Sequence, residues 1–436
     1  MALSPKRELT PVQVTFVCAG WLVFAVSAFV YVRVSVWLNQ PFHEGVRHLR
    51  YFDLKVYRGA AKRIVNGQTL YGRPIRRRLG FTYPPAAALL MLPLSLFAIR
   101  GDELIVTALN GAALIFVLRQ TLLIARPSER RSSTGTALSL LSRPAVAWSV
   151  AALAAAAAIW LEPVSVALGY GQVDILIAAL VVFDIARDDT SRTKGLAIGL
   201  AAGIKLTPLL FIAYLLLSGR RRAAIVASAS FVATVVASFV LLPADAARYW
   251  EVLVFRTSRI GGAADVANQS LRGAIARLLD VWHPGMAATV TVGLVAAVGI
   301  GLAVHFSRRG DDATGFSLCA VTTLLASPIS WTHHWVLAIP ALFMLVVVGC
   351  ERRSLPLLAS AVALLYIGYS YLPERVMTKR GPLMHDGSPL RVDPYVVIGL
   401  LVLAVAGVNA VLNSGRRPIF GRVAARRRAF RVTASA

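Results

Sequence analysis

The stretch VTFVCAGWLVFAVSAFVYVRVS, residues 14–35, decides the fold class of this chain. A helix rises about 1.5 Å per residue, so a run of this length crosses a hydrocarbon core about 30 Å thick. Comparable apolar stretches recur at 84–99, 103–125, 144–161, 172–186, 195–218, 223–242, 287–306, 313–331, 335–350, 354–372 and 393–413. Together they predict an all-α polytopic membrane protein with about twelve transmembrane or re-entrant helices.

The charge distribution supports a membrane protein and excludes a nucleic-acid-binding one. Only 15% of the 436 residues are charged, against about a quarter in soluble domains, yet the net charge is +25. The positive charge lies between apolar stretches and in the C-terminal tail, with arginine clusters at 220–222, 308–309, 352–353, 416–417 and 426–428. This is the positive-inside pattern, and it also attracts anionic membrane lipid. No recognition motif for nucleic acid accompanies it.

The arginine clusters predict which loops face outward. With both termini cytoplasmic, including the basic tail 414–436, the number of crossings is even. Residues 36–83, 243–286 and 373–392 then lie outside. The arginine-rich loop 126–143 should be cytoplasmic, but strict alternation from residue 36 would place it outside; one resolution is that 84–99 dips into the membrane without crossing it. The stretch 195–218 reads as a bent pair of half-spans that directs Lys205, near its middle, at an outer cavity.

The first outer loop contains an amphipathic helix. In residues 53–66, DLKVYRGAAKRIVN, the apolar side chains share one helical face and the cationic ones lie elsewhere. Such a helix suits the membrane interface. Asn66 and Gly67 tolerate left-handed backbone angles and are expected to end it.

Asp53 begins this helix and is the main catalytic candidate. A carboxylate just outside a span, partly buried against an apolar wall, suits a general base that meets a lipid-borne substrate. Alternatively, Asp53 caps the N-terminus of a helix that starts at Leu54. The two roles are compatible, because a cap also fixes the carboxylate in space.

His333 and His334 lie in the segment SPISWTHHW, between two apolar stretches. Polar side chains at membrane depth are functional candidates, and one histidine is expected to bind a phosphate. The alternative is a pair of interfacial histidines beside the tryptophans. Adjacent residues on a helix point about 100° apart, so the pair is poorly placed to chelate one metal, and we predict no metal site.

Other cationic residues are candidates for binding a lipid phosphate. A lysine in an apolar run, such as Lys205, either pairs with an anion or extends to the interface. Arg76, Arg77 and Arg78 either hold an anionic head group or form a basic strip on anionic lipid. Polar residues beside the spans are expected to hydrogen-bond sugar hydroxyls: Glu162, Gln172, Asp174, Asn268 and Gln269.

Several motifs are absent from the sequence. It has no Walker A motif, no GxSxG, no HExxH and no glycine-rich dinucleotide fingerprint. A nucleotide-dependent enzyme would have no domain for its nucleotide. We therefore predict no cofactor, and a donor that is itself a lipid.

Six segments in order carry a family resemblance: FDLKVY (52–57), FTYPPAA (81–87), GYGQVD (169–174), GLAAGIKLTP (199–208), NQSLRGAIAR (268–277) and SPISWTHHW (327–335). Together they resemble the GT-C glycosyltransferases of family 87, and within it the mycobacterial polyprenol-phosphate-mannose-dependent α-1,2-mannosyltransferases. The resemblance covers roughly residues 45–350. It implies a GT-C fold, one integral membrane domain over 1–436, and a multi-pass protein of the inner membrane whose active site faces the periplasm.

The resemblance also implies site residues and an inverting reaction. Asp53 matches the family's acid/base aspartate, and His333 or His334 matches a histidine at the donor phosphate, with Lys205, Arg76 and Arg77 as further phosphate ligands. The expected substrate-binding residues are Tyr57, Tyr83, Gln172, Asn268 and Gln269. Mannose would pass from a polyprenyl-phosphate-mannose donor to a phosphatidylinositol mannoside acceptor.

The sequence is compatible with alternative functions. One is a mannosyltransferase that adds branches to lipomannan or lipoarabinomannan. From another class, a lipid or solute transporter also uses broken helices with a central lysine. A transporter predicts symmetry between halves, which the sequence does not show, and leaves the interfacial helix unexplained. A structural membrane partner would need no polar cluster on one face.

Overall fold

The computed structural model describes residues 9–37, 51–76, 79–125, 143–281, 283–373 and 389–412. Several expectations therefore lie outside the described residues. They concern Arg77 and Arg78, the tail 414–436, most of the arginine-rich loop 126–143, and large parts of the loops 36–83 and 373–392.

The described residues form a helical structure without named strands. Its α-helices are α1 (Pro11–Trp37), α2 (Phe52–Val65), α3 (Pro85–Leu90), α4 (Ile99–Ala125), α5 (Pro144–Ala158), α6 (Glu162–Tyr170), α7 (Asp174–Ala186), α8 (Leu196–Ile204), α9 (Leu209–Leu217), α10 (Arg221–Leu241), α11 (Pro243–Glu251), α12 (Leu271–Leu278), α13 (Met286–Arg308), α14 (Asp312–Ala326), α15 (Ile339–Arg352), α16 (Leu355–Ser370), α17 (Pro389–Val392) and α18 (Pro394–Leu412). Four 3₁₀ segments accompany them, at Leu92–Ser95, Leu253–Phe255, Thr257–Arg259 and Thr332–Ala338.

The lengths and composition of the helices confirm a multi-pass membrane protein. Six spans are long and apolar enough to cross a bilayer: Pro11–Val34, Ile99–Ala125, Arg221–Leu241, Met286–Arg308, Thr332–Cys350 and Pro394–Leu412. A seventh is formed if α5 and α6, which meet at 83°, count as one bent span. Each predicted apolar stretch contains at least one helix, but the number of twelve crossings stays a prediction.

Two stretches are irregular. Helix α3 has six residues and is followed by a short 3₁₀ turn. At about 1.5 Å per residue this helix is too short to cross the membrane, and the dip of 84–99 into the membrane stays a prediction. The stretch 195–218 is broken into α8 and α9, because Lys205 has an extended backbone and Pro208 precedes the first turn of α9.

Glycines allow the broken helix α8 to approach the long helix α10 closely. A Cβ added at Gly199 would lie 2.2 Å from the carbonyl oxygen of Ala227, and one at Gly203 would lie 2.3 Å from Thr234 Oγ1. Small residues permit this kind of backbone approach between membrane helices. The contact holds α8 in place, and with it the break at Lys205.

Helix α2 folds as the predicted amphipathic helix. Its buried residues are Leu54, Val56, Tyr57, Ala60 and Ala61, all on the expected face. Asn66 is its C-cap, and Gly67 follows in the left-handed region with φ 63°. That this helix lies at the membrane interface stays a prediction.

Candidate active site

A cavity of about 950 Å³ lies where α2, the break between α8 and α9, and the segment after α14 meet. Its size is near the upper end for ligand sites in proteins. Seven of the predicted or weighed site positions line it, alongside apolar side chains: Asp53, Arg76, Tyr83, Gln172, Lys205, His333 and His334. These residues come from five separate parts of the sequence, and the fold brings them together.

The turn between α6 and α7 places Gln172 beside the first turn of α2. Gly171 ends α6 with φ 68°, and a Cβ there would lie 2.8 Å from Leu54 Cβ. The amide of Tyr51 donates to the carbonyl of Gly169 at 2.9 Å, which ties the two segments together. A glycine is therefore required at 171 by both its backbone angle and the close approach of α2.

The expectation that Asp53 caps a helix beginning at Leu54 is wrong. Helix α2 begins at Phe52, Asp53 lies within its first turn, and no side chain caps the helix. The carboxylate instead accepts a hydrogen bond from Gln172, whose Nε2 lies 2.7 Å from Asp53 Oδ2. Asp53 thus binds the side chain of Gln172, from a distant part of the sequence, and not the backbone N–H groups at the start of its own helix.

Gln172 also binds two tyrosines. Its Oε1 accepts from the hydroxyl of Tyr57 at 2.6 Å and from that of Tyr83 at 3.0 Å. The two hydroxyls are 2.9 Å apart, and the rings meet edge to face. Tyr83 lines the cavity, whereas Tyr57 is 2% exposed and lies behind it. The structure thus places Tyr57 outside the cavity lining, and its expected contact with substrate stays a prediction.

The surroundings of Asp53 adjust its acidity toward that of a general base. The pKa of Asp53 is raised to about 6, and desolvation by burial is the largest cause. The hydrogen bond from Gln172 and the charge of Lys205 lower the pKa, while the charge of Asp174 raises it. Asp53 is only partly covered, and it lines the cavity. A carboxyl with this pKa is ionised at neutral pH and is a stronger base than an ordinary aspartate.

Lys205 forms a buried ion pair beside this base. Its Nζ lies 2.6 Å from Asp174 Oδ1 and 5.5 Å from the centre of the Tyr83 ring. Lys205 lines the cavity, so its ammonium group combines a protein partner with access to a ligand. The sequence singled out Asp174 only weakly; the structure makes it the residue that holds Lys205.

The two histidines lie on the neighbouring wall, in the 3₁₀ segment Thr332–Ala338. His333 Nε2 is 3.9 Å from Asp174 Oδ2, too far for a hydrogen bond, and its ring meets Tyr170 edge to face. His333 Nε2, His334 Nδ1 and Asp174 Oδ2 are buried and have no hydrogen-bond partner in the described part of the chain. Buried polar atoms without partners at a cavity are suited to binding a ligand.

Asp174, His333 and His334 are also the residues that could hold a metal ion, since one ligand atom from each lies within 4.8 Å of the others. The ligand atoms of a tetrahedral zinc site are closer, with metal–ligand bonds of about 2.0–2.2 Å. Lys205 already neutralises the Asp174 carboxylate. We assign no metal here, and the expectation of a metal-free site stays a prediction.

Asn268 and Gln269 do not line the cavity, and their expected contact with substrate stays a prediction. Both are fully buried and bind backbone. Asn268 Oδ1 accepts a hydrogen bond from the backbone N–H of Ser330 at 2.8 Å. The backbone N–H of Gln269 donates to the carbonyl of Ser330 at 2.7 Å. Their physical role is to hold the segment that leads to His333. Glu162 is likewise buried away from the cavity, where it accepts from the hydroxyl of Tyr395.

Two arginines lie at the cavity. Arg76 places its guanidinium 5.6 Å from the centre of the Phe52 ring, next to Asp53. Arg259, which sequence reasoning missed, donates to the carbonyls of Thr82 and Leu253 at 2.8 and 3.0 Å. It joins the two long loops that border the cavity. No motif marks Arg259, because its partners are backbone oxygens, one of which, that of Thr82, is 177 positions away.

The fold and this cavity define a multi-pass membrane enzyme with a carboxylate, a lysine and two histidines around one substrate-sized space. Residues 81–328 match the model of Glycosyltransferase family 87. The chain belongs to this family, and it is a glycosyltransferase of the GT-C class, as the resemblance predicted. No solved structure matches the chain.

Named relatives agree with the family. The chain is 31% identical, over 90% of each sequence, to a polyprenol-phosphate-mannose-dependent alpha-(1-2)-phosphatidylinositol mannoside mannosyltransferase of Mycobacterium tuberculosis. It is 35% identical to a polyprenol-phosphate-mannose-dependent alpha-(1-2)-phosphatidylinositol pentamannoside mannosyltransferase of Mycolicibacterium smegmatis. That match covers 68% of this chain and 69% of the relative.

Proposed function

We propose that this enzyme transfers mannose from a polyprenyl-phosphate-mannose donor to a mannose 2-hydroxyl of a phosphatidylinositol mannoside, with inversion at the anomeric carbon. The names of the relatives support both lipid substrates. The observation that carries the mechanism is that Asp53 and Lys205 line the same cavity. Gln172 binds Asp53, and Asp174, two residues further along the chain, binds Lys205. A base and a cation are thereby available to the same bound substrates.

The chemistry assigns one task to each side of the cavity. Asp53 takes the proton of the acceptor 2-hydroxyl as that oxygen attacks the anomeric carbon from the face opposite the phosphate. The bond between the anomeric carbon and the phosphate oxygen breaks, and its electron pair leaves with the polyprenyl phosphate. Lys205 and a histidine, His333 or His334, stabilise the negative charge on this leaving group. Asp53 then returns its proton to water.

We further propose that Arg76 contributes to binding of an anionic head group, and that Tyr83 contacts a sugar. Arg76 has its guanidinium at the cavity, and Tyr83 presents an aromatic face there. Aromatic rings and planar guanidinium groups suit sugars and phosphates respectively.

The orientation in the membrane is also part of the proposal. The arginine clusters at 220–222 and 308–309 predict a cytoplasmic side, and Arg220 binds Asp189 and Asp312 near the ends of α7 and α14. The active-site cavity involves the loops 36–83 and 243–286, which the same rule places outside. We therefore propose that the cavity faces the periplasm and that residues 1–436 form one integral membrane domain.

Membership of a glycosyltransferase family argues against the transporter alternative. The relatives' names favour a phosphatidylinositol mannoside acceptor over lipomannan. The test is a transfer assay with the purified full-length enzyme in lipid nanodiscs, radiolabelled polyprenyl-phosphate-mannose, and separate phosphatidylinositol mannoside and lipomannan acceptors. The expected product is an α-1,2-mannoside of the phosphatidylinositol mannoside. Transfer to lipomannan alone would change the acceptor, and absence of transfer from this donor would overturn the proposal.

A further inference from the structure

Gln172 has hydrogen-bond partners of different kinds on the two sides of its amide. Nε2 donates to Asp53 Oδ2 at 2.7 Å, while Oε1 accepts from the hydroxyls of Tyr57 and Tyr83 at 2.6 and 3.0 Å. The amide therefore connects the base to a pair of tyrosines behind it. Of the described residues, no other side chain hydrogen-bonds the carboxylate of Asp53.

The orientation of this amide follows from the chemistry of its partners. An ionised carboxylate only accepts hydrogen bonds, so the NH₂ side of Gln172 must face Asp53. Burial raises the pKa of both Tyr57 and Tyr83 well above its usual value, so both hydroxyls stay protonated and can donate to Oε1. A flipped amide would bring two oxygens together at Asp53. The tyrosines thus favour the one orientation that stabilises the carboxylate.

The backbone of Gln172 is held as firmly as its side chain. Asn110 of α4 donates through Nδ2 to the carbonyl of Gln172 at 3.1 Å, and it is 1% exposed. On the preceding side, Gly171 packs against Leu54 of α2. Because the backbone at Gln172 is held in this way, the side-chain amide reaches Asp53 from a fixed position.

We propose that Gln172 is a positioning residue for the base: it binds Oδ2 of Asp53 and leaves Oδ1 to take the proton of the acceptor hydroxyl. This inference rests on the proposed function, because it takes Asp53 as the base. It assigns Gln172 a role different from the sugar contact expected from the sequence. Tyr57 and Tyr83 act through Gln172 by fixing the direction of its amide.

Charged and titratable groups from several elements also face Asp53. Asp174 of α7 disfavours the charged carboxylate and Lys205 favours it, while the hydrogen bond from Gln172 also favours it. Tyr57 and Tyr83 also lie close to the carboxylate, and Arg76 and His333 line the same cavity. Of these groups, Gln172 alone donates a hydrogen bond to the carboxylate within the described residues. Loss of its donor should therefore make Asp53 harder to ionise.

The test compares the pH dependence of kcat/KM for wild type, Gln172→Met and Gln172→Glu in nanodiscs. Met removes the donor, and Glu removes it but still accepts from the tyrosines. Loss of a hydrogen bond to a charged group changes an equilibrium constant, here the acid dissociation constant of Asp53, by about tenfold. We expect kcat/KM at pH 5 to fall about tenfold more than at pH 9, because the acid limb moves to higher pH. The Glu variant should move it further, since two carboxyl groups then share one site.

Gln269→Met is the matched control, because Gln269 is an equally buried glutamine whose amide binds only backbone outside the cavity. Any loss in this variant should be the same at every pH. The inference is overturned if Gln172→Met and Gln172→Glu keep the wild-type acid limb, or if they lose activity uniformly, as Gln269→Met does.

A second measurement separates this inference from the proposed function. A hydrophobic carbodiimide modifies protonated carboxyl groups, and mass spectrometry of the peptide around Asp53 follows the modification without any substrate. In wild type the modification should fall as pH rises through about 6, and in Gln172→Met its midpoint should be higher. If transfer fails but this shift occurs, the substrate proposal is wrong and the role of Gln172 holds. An unchanged midpoint would reject the role of Gln172.

Discussion

The ammonium group of Lys205 lies 2.6 Å from the carboxylate of Asp174, and the two residues come from separate apolar stretches. Asp174 is 6% exposed, while Lys205 lies at the break between α8 and α9 and lines the cavity. A buried carboxylate requires a partner, and a lysine within an apolar stretch requires one as well. The pair satisfies both requirements and keeps one cation at the cavity, where we propose that the leaving phosphate binds.

Substitution of Lys205 should therefore affect stability and catalysis separately. Lys205→Met leaves Asp174 buried without its cation, which typically costs about 3–5 kcal/mol. The double variant Lys205→Met/Asp174→Asn should recover most of the thermal stability, because no unpaired charge remains. It should still transfer mannose at least about 100-fold more slowly, since the leaving phosphate has lost its cation. Wild-type turnover in the double variant would show that Lys205 acts only in folding.

Asp53→Asn tests the general base directly. Asparagine keeps the size of the side chain and still accepts from Gln172, but it cannot take a proton. Removal of a general base typically slows a reaction by about 10²–10⁴-fold, and we expect a decrease of kcat in this range. Donor binding, measured by tritiated polyprenyl-phosphate-mannose retention, should stay within about threefold of wild type, since Lys205 and the histidines remain. Full turnover by this variant would remove Asp53 from the mechanism.

The acidity of Asp53 predicts the pH dependence of the wild-type enzyme. Its pKa of about 6 means that the carboxyl becomes protonated, and inactive as a base, as pH falls through 6. The pH profile of kcat/KM reports groups of the free enzyme, so its acid limb should have a midpoint near this value. An acid limb near pH 4, as for an exposed aspartate, would contradict the buried environment described here.

The same shift has a consequence for stability. A carboxyl whose pKa is raised on folding destabilises the folded state once pH exceeds its unfolded value of about 4, and the cost is complete above about 6. Asp53→Asn should therefore raise the melting temperature at pH 7.5, by an amount equivalent to at most about 3 kcal/mol. The gain should disappear as pH falls toward 4. A melting curve series across this range checks it, and equal stabilisation at all pH values would point to a different cause.

The close contact between α8 and α10 predicts the effect of one added methyl group. In Gly199→Ala the new Cβ would meet the carbonyl oxygen of Ala227 at 2.2 Å, and a backbone atom cannot move aside easily. We expect a loss of about 1–3 kcal/mol and a lower melting temperature. Gly301→Ala on α13 is the matched control, because nothing lies within 4 Å of its added Cβ. If both variants melt like wild type, the two helices do not pack as described.

Much of the fold follows from local patterns. The apolar stretches predict the helices because the length of a span is set by membrane thickness, and the amphipathic pattern of 53–66 predicts the buried face of α2. Lys205 and Pro208 predict the break in 195–218, since both interrupt an apolar helix. The predicted stretch 144–161 ends next to the bend of 83° between α5 and α6, but helix α6 itself was missed, because nine residues are too few to form a span.

The sequence by itself determined a polytopic helical membrane protein, its family, and the candidates Asp53, Lys205, His333 and His334, because residue type and spacing are local properties. Only the tertiary structure decided that Asp53 binds Gln172 rather than its own helix, and that Asn268 and Gln269 support the histidine segment from outside the cavity. The physical reason is that hydrogen-bond partners are chosen by proximity in space. Asp53 and Gln172 are 119 positions apart, and no local pattern records which amide will reach a carboxylate across a folded chain.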